Sequence, residues 1–248
     1  MTQPGIAFTD VVDRKIACRK RPGDSPTLLF LPGYASDMEG AKAMAVDAFA
    51  AARGLACLRF DYSGTGSSSG DFAASTLDHW IEEATAALDQ LAKGPVIVIG
   101  SSMGGWVALH LALKRPDRVA ALVGIAAAPD FTQWGFTETQ KQVIAKEGLL
   151  EEDNPDGPEP SRVYRDFWQS GQELRLLEDP IAIDCPVRLI HGEDDPEVPL
   201  DVANRLLRQL RSADVQLTII KGGGHRLSEP HEIDAILTVL AGLVETDR

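Results

Sequence analysis

The chain has 248 residues, 44% hydrophobic and 25% charged, the composition of one soluble domain with a large core. Twenty-four basic against thirty-seven acidic residues leave a net charge of -13, so neither a nucleic acid nor an anionic membrane surface is an expected partner. No apolar run approaches the roughly 20 residues that span a bilayer, so membrane insertion is not expected, and the opening MTQPGIAFTDVVDRK lacks the basic-then-apolar order of a secretory leader, which makes a cytoplasmic location the expectation.

In chain order, a weakly marked edge strand over residues 15–19 precedes short apolar runs at 27–31, 55–60, 96–99, 120–125, 187–190 and 215–220. Bounded by turn residues, these read as buried parallel strands. Helical spacing fills the gaps at 39–52, 76–91, 105–114, 200–211 and 232–244. The alternation predicts right-handed βαβ crossovers and a sheet covered on both faces. It breaks at residues 129–180, which carry no convincing strand yet hold Phe131, Trp134, Phe136, Tyr164, Phe167 and Trp168, six of the chain's fifteen aromatics. A structureless loop of that length is implausible in a compact domain, so two short helices are expected, near 137–149 and 160–177, joined by the acidic, turn-rich stretch 151–160.

Gly100-Ser101-Ser102-Met103-Gly104 fits G-x-S-x-G, and it lies between the strand VIVIG and the helix that starts near Gly105. In that context the register selects Ser102, held on a strained strand-to-helix turn with its hydroxyl above the sheet. A serine hydroxyl is a poor nucleophile at neutral pH unless a base, itself oriented by a carboxylate, stands within hydrogen-bond reach. His225, delivered by Gly222-Gly223-Gly224 after the strand VQLTIIK, is the expected base. His79 and His110 lie within expected helices, His191 precedes a strand-end turn, and His231 is the alternative base. The acid follows the strand VRLIHG, where Glu193, Asp194 and Asp195 are consecutive and spacing does not choose among them; Asp130 is a further candidate.

The developing oxyanion of acyl transfer needs donors. The amide of Met103 supplies one, and the loop after LLFLPG supplies the other through the amide of Tyr34, with Gly33 permitting the turn. Gly64-Thr65-Gly66 begins like a dinucleotide fingerprint but has Ser69 where a third glycine is required, and Asp61 at its start is expected to bond the turn. No P-loop or metal-ligand spacing is present, so no cofactor and no metal are expected. Cys18, Cys57 and Cys185 are too few and too scattered for a disulfide framework and read as small core residues.

The strings LPGYASDMEG, RFDYSGTGSSSG, GSSMGGWVALH and CPVRLIHGEDDPEVP together closely resemble the α/β-hydrolase fold family, and within it the group of α/β-hydrolase domain-containing protein ten and its bacterial relatives. That resemblance implies the α/β-hydrolase fold, a mostly parallel central sheet with helices on both faces, while the break in the alternation sets the expected division into a core of residues 1–128 and 181–248 and a small helical cap, residues 129–180, inserted after strand 6. The resemblance also implies a serine esterase acting on acyl glucuronides and on S-acylated cysteine thioesters. The group's H-G-x-x-D-x-x-V-P pattern falls on His191, Gly192, Asp195, Val198 and Pro199 and implies Asp195 as the acid, with Ser102 as nucleophile and His225 as base. The cap does not match residue by residue, and no basic, serine-rich transit extension is recognised, so the eukaryotic location is not carried over.

The expected activity is therefore hydrolysis of carboxylic esters or thioesters with a hydrophobic acyl group through a Ser102 acyl-enzyme, on a small-molecule substrate or an acylated protein. Trp134 and Trp168 are the first choices for lining the acyl site. Alternatives on the same fold are a serine peptidase, a cofactor-free peroxidase and a non-catalytic binding module.

Overall fold

The computed structural model describes residues 3–11, 13–154 and 159–246. Its strands are β1 (Ala7–Val11), β2 (Arg14–Arg21), β3 (Asp24–Leu31), β4 (Leu55–Phe60), β5 (Val96–Ser101), β6 (Val119–Ile125), β7 (Leu149–Glu152), β8 (Ser161–Tyr164), β9 (Val187–Gly192) and β10 (Val215–Ile220). Its helices are α1 (Ala41–Arg53), α2 (Leu77–Leu91), α3 (Met103–Lys114), α4 (Phe131–Trp134), α5 (Glu138–Glu147), α6 (Arg165–Glu173), α7 (Leu200–Gln209) and α8 (Pro230–Thr246). Eight strands form one sheet in the order β1-β2-β4-β3-β5-β6-β9-β10. From β4 to β10 every pairing is parallel, and β1 and β2 join antiparallel at one edge.

Successive strand residues face opposite sides, and the apolar runs fill both. Leu28, Phe30, Ile97, Ile99, Val123 and Ile125 pack with α1 and α8, whereas Leu29, Leu31, Val98 and Leu122 pack on the side of α2, α3 and α7. Each fully buried Leu or Ile contributes roughly 1.5–3 kcal/mol, so the central strands tolerate no polar face. Helix α3 goes further: every residue from Met103 to Ala112 is buried. A helix apolar all round must be covered on every side, and residues beyond β6 supply part of that cover: Trp106 Nε1 donates to the Leu174 carbonyl, 3.1 Å away, as does His110 Nε2 at 2.9 Å.

The segment between β6 and β9 departs from expectation. Among the described residues it holds three helices, α4, α5 and α6, and a two-stranded antiparallel sheet in which Leu149 pairs with Tyr164 and Glu152 with Ser161. The expected helix over 137–149 corresponds to α5, capped by Thr137 and Gln140 in a reciprocal box. The expected helix over 160–177 instead begins as strand β8 and turns helical only at Arg165. LLEE and SRVY are four-residue strands in which charge masks the period-2 pattern; pairing with each other, not propensity, makes them strands. Within the expected joint 151–160, residues 155–158 lie outside the described residues, and Glu151 and Glu152 already belong to β7. At the other end of the chain, the edge strand extends over Arg14–Arg21 and has a hairpin partner, β1, that the sequence reading omits.

Candidate active site

Ser102 is the single residue between β5 and α3, with φ 54° and ψ -121°. Such a conformation costs a non-glycine residue about 1–3 kcal/mol and persists only where its surroundings dictate it. Here they do: the Ser102 amide donates to Ile125 at 2.9 Å, and its carbonyl accepts from Gly105 at 2.9 Å and Ala128 at 3.0 Å. The glycines beside it allow the close approach. A Cβ on Gly100 would lie 2.2 Å from the Gly104 oxygen, and one on Gly104 would lie 2.1 Å from the Leu31 oxygen.

Two further loops leave the neighbouring strands β9 and β10, which run parallel with Gly192 beside Ile220. They are tied to each other before they reach Ser102. Glu193 N donates to Ile220 O and Asp194 N to Gly223 O, both at 2.9 Å, and the Glu193 carboxylate accepts from Gly222 N. Asp195 then accepts the amides of Glu197 and Val198 on Oδ1, each at 2.9 Å, leaving Oδ2 for His225 Nδ1 at 2.9 Å. His225 Nε2 stands 3.0 Å from Ser102 Oγ. With Nδ1 donating to the carboxylate, Nε2 is the acceptor for the serine hydroxyl, the tautomer a general base requires.

Burial pushes the Asp195 carboxyl up, but the hydrogen bonds from His225 and the Val198 and Glu197 amides, with the charge of His225, outweigh it and hold the group below the usual carboxylate range. Asp195 therefore stays ionised and fixes the ring. Of the three consecutive acids it alone meets His225; Glu193 is spent on Gly222, and Asp194 is exposed. Asp130 is turned to other work, accepting the Leu176 and Leu177 amides at 2.8 Å each. His191 Nε2 binds the Val198 carbonyl at 2.8 Å and steadies the Asp195 loop, while His231 is exposed at the start of α8.

The loop after β3 passes directly over the serine, since a Cβ on Gly33 would lie 3.3 Å from Ser102 Cβ. Tyr34 follows Gly33 on this loop, and Met103 is the first residue of α3, directly after Ser102. Asp61 anchors this loop from behind, taking the Met38 amide at 2.7 Å and the Ser67 amide at 2.8 Å. The glycine-rich turn packs on the same carboxylate: a Cβ on Gly66 would fall 2.2 Å from Asp61 Oδ2. Trp134 and Trp168 are partly buried, and their indoles donate to the carbonyls of Pro129 and Thr132. The structure places both in the segment after β6 but not in the hydrogen-bond chain that links Ser102, His225 and Asp195.

Two neighbours escape the sequence reading. Glu197 Oε2 lies 3.7 Å from His225 Nε2, and Lys42, bonded to the Arg226 carbonyl, has its ammonium lowered to about 8 by burial and then by Arg226. Glu197 sits in the matched H-G-x-x-D-x-x-V-P stretch, but at one of its free positions, so the pattern gives it no weight; Lys42 arrives from α1, far away in sequence. Among the described residues, no group of three or more His, Cys, Asp or Glu side chains is placed to hold a metal ion.

The alpha/beta hydrolase family model matches residues 28–236. The chain belongs to this family. Human palmitoyl-protein thioesterase ABHD10, mitochondrial, is 36% identical over 236 residues, which cover 93% of this chain and 76% of the human protein. The solved structure of alpha/beta hydrolase domain-containing protein 10 from mouse superposes with a TM-score of 0.92 at 34% identity, covering 98% of this chain and 100% of the other. A putative hydrolase from Agrobacterium vitis S4 gives a TM-score of 0.89 at 37% identity, covering 96% and 97%. The chain is a hydrolase, and its reaction class is cleavage of an ester or thioester. The cytoplasmic expectation is corrected by the same relatives, which are named as mitochondrial in human and mouse. An opening stretch without leader character does not decide location. Among the described residues, no helix is long and apolar enough to cross a membrane.

Proposed function

We propose that this hydrolase cleaves esters and thioesters of hydrophobic acyl groups through a covalent acyl-enzyme on Ser102, with His225 as general base and acid and Asp195 as its orienting carboxylate. The observation that carries the reading is the unbroken line of hydrogen bonds from Ser102 Oγ to His225 at 3.0 Å and on to Asp195 at 2.9 Å. Ser102 Oγ attacks the acyl carbon as its proton passes to His225 Nε2. The amides of Tyr34 and Met103 receive the oxyanion. As the tetrahedral centre collapses, the bond to the leaving sulfur or oxygen breaks and takes that proton from Nε2. Water, deprotonated by His225, then attacks the acyl carbon and frees the acid and Ser102.

Residues 129–180 act in this reading as the cap over the acyl site, with Trp134 and Trp168 among its walls. Phe131, Trp134, Phe136 and Trp168 are partly buried and pack against the core cluster, which supports an apolar character for that segment. The names of the relatives favour an S-acylated cysteine, on a peptide or a protein, as the thioester substrate. The test is release of free thiol from an S-octanoyl-cysteine peptide by the purified protein. Release that is absent from Ser102→Ala supports the assignment, and equal release by that variant contradicts it.

A further inference from the structure

Tyr34 faces two ways. Its backbone belongs to the loop that Gly33 presses against Ser102, while its side chain leaves that loop and enters an aromatic cluster. The ring lies 4.6 Å from Phe167, 5.2 Å from Phe72, 5.9 Å from Trp80 and 6.0 Å from Phe131. Trp80 belongs to α2, and Phe131 and Phe167 belong to α4 and α6 of the insertion, so the ring joins both bodies. Beyond the ring, the hydroxyl donates to the Arg162 carbonyl in β8 at 2.9 Å, across 128 positions of sequence. The residue after Tyr34, Ala35, has a φ of 53°, so the loop is a bent, strained stretch that needs holding in place.

We infer that the Tyr34 hydroxyl and the Arg162 carbonyl form a latch through which the β7–β8 hairpin positions the oxyanion-binding amide of Tyr34, coupling the state of the hairpin to the chemical step. The inference rests on the proposed acyl-transfer mechanism and adds a positioning role that the mechanism itself does not require. Its basis is geometric. A displaced hydrogen-bond donor loses its grip on a developing charge steeply, and a misplacement of about 1 Å at a reacting centre costs about 100-fold in rate. The loop is also held by Gly33 against Ser102, by Asp61 on the Met38 amide and by Arg59 on the Met38 carbonyl, none of which reaches β8. The hydroxyl bond is the tie that Tyr34 makes to β8.

Tyr34→Phe keeps the ring and deletes the bond. It should lower kcat about 10- to 100-fold while KM for an octanoyl ester stays within about twofold, because ground-state acyl contacts are untouched. A trifluoromethyl ketone with the same acyl chain adds Ser102 and forms an oxyanion, so its inhibition constant should rise by the same factor as kcat falls. A merely structural role would move KM or the melting temperature and leave that correspondence absent. A second measurement uses the unaltered protein: the coupling is reciprocal, so binding the ketone should slow amide hydrogen exchange in residues 161–164. Unchanged kcat in Tyr34→Phe, or unchanged exchange in the hairpin on ketone binding, overturns the latch. The serine-hydrolase reading fails separately, through loss of ketone inhibition in the wild-type protein.

Discussion

Asp195 holds His225 with one carboxylate oxygen and its own loop with the other. Oδ2 accepts from His225 Nδ1 at 2.9 Å while Oδ1 accepts the amides of Glu197 and Val198. The carboxylate therefore cannot swing away from the ring without breaking its own turn. Asp195→Asn keeps the shape but offers an amide that stabilises the wrong imidazole tautomer. It should lower kcat by about 10,000-fold, whereas Asp194→Asn, at an exposed neighbour, should stay within about twofold of wild type. Steady-state kinetics of the two variants with one ester decide the assignment, and the reverse ranking would move the acid to Asp194.

Acyl-chain dependence tests the proposed cap over residues 129–180. Each methylene buried contributes roughly 0.8 kcal/mol, about fourfold in kcat/KM, until the proposed acyl site is full. Esters from acetyl to palmitoyl should climb at that slope and then level. Trp134→Ala or Trp168→Ala should flatten the slope while acetyl-ester turnover stays nearly unchanged. Equal rates for acetyl and octanoyl esters in the wild-type protein would show that these aromatics only pack.

His110 gives the fold a pH dependence. Burial lowers its pKa from the usual 6.5 to about 4, although its ring bonds the Leu174 carbonyl. The unfolded chain binds a proton at this site below pH 6.5 and the folded chain does so only near pH 4, so its share of stability is present above pH 6.5 and is lost as pH falls toward 4. The loss reaches about 3 kcal/mol, or about 10 °C in Tm for a domain of this size. Thermal melts of wild type and His110→Gln from pH 7 to pH 4 should converge as the pH falls. Parallel curves would place the acid sensitivity elsewhere.

The central sheet and Ser102 were open to sequence reading because their causes are local. Val215–Ile220 and Leu55–Phe60 are apolar runs with turn residues on either side, and G-x-S-x-G is a steric requirement written in consecutive letters. What stayed hidden depends on distant partners. AFTDV becomes strand β1 by pairing with β2, and its largely exposed residues leave no apolar stripe. LLEE and SRVY become strands only by pairing with each other. The hydroxyl of Tyr34 meets Arg162 by virtue of the tertiary fold alone, and Lys42 reaches the His225 loop from another helix. Asp195 stood between these cases. Three consecutive acids look equivalent by spacing, so Asp195 was singled out only through the family resemblance, and the bonds that fold the 193–198 turn give the physical difference between them.

Every step of the proposed reaction begins from Ser102 as the nucleophile. The direct measurement is treatment of the purified protein with a fluorophosphonate, followed by mass spectrometry of the tryptic digest. The predicted result is a single phosphonyl adduct on the peptide that carries Ser102, lost in Ser102→Ala and strongly slowed in His225→Ala. An adduct on another residue, or labelling of Ser102→Ala at the wild-type rate, would contradict it.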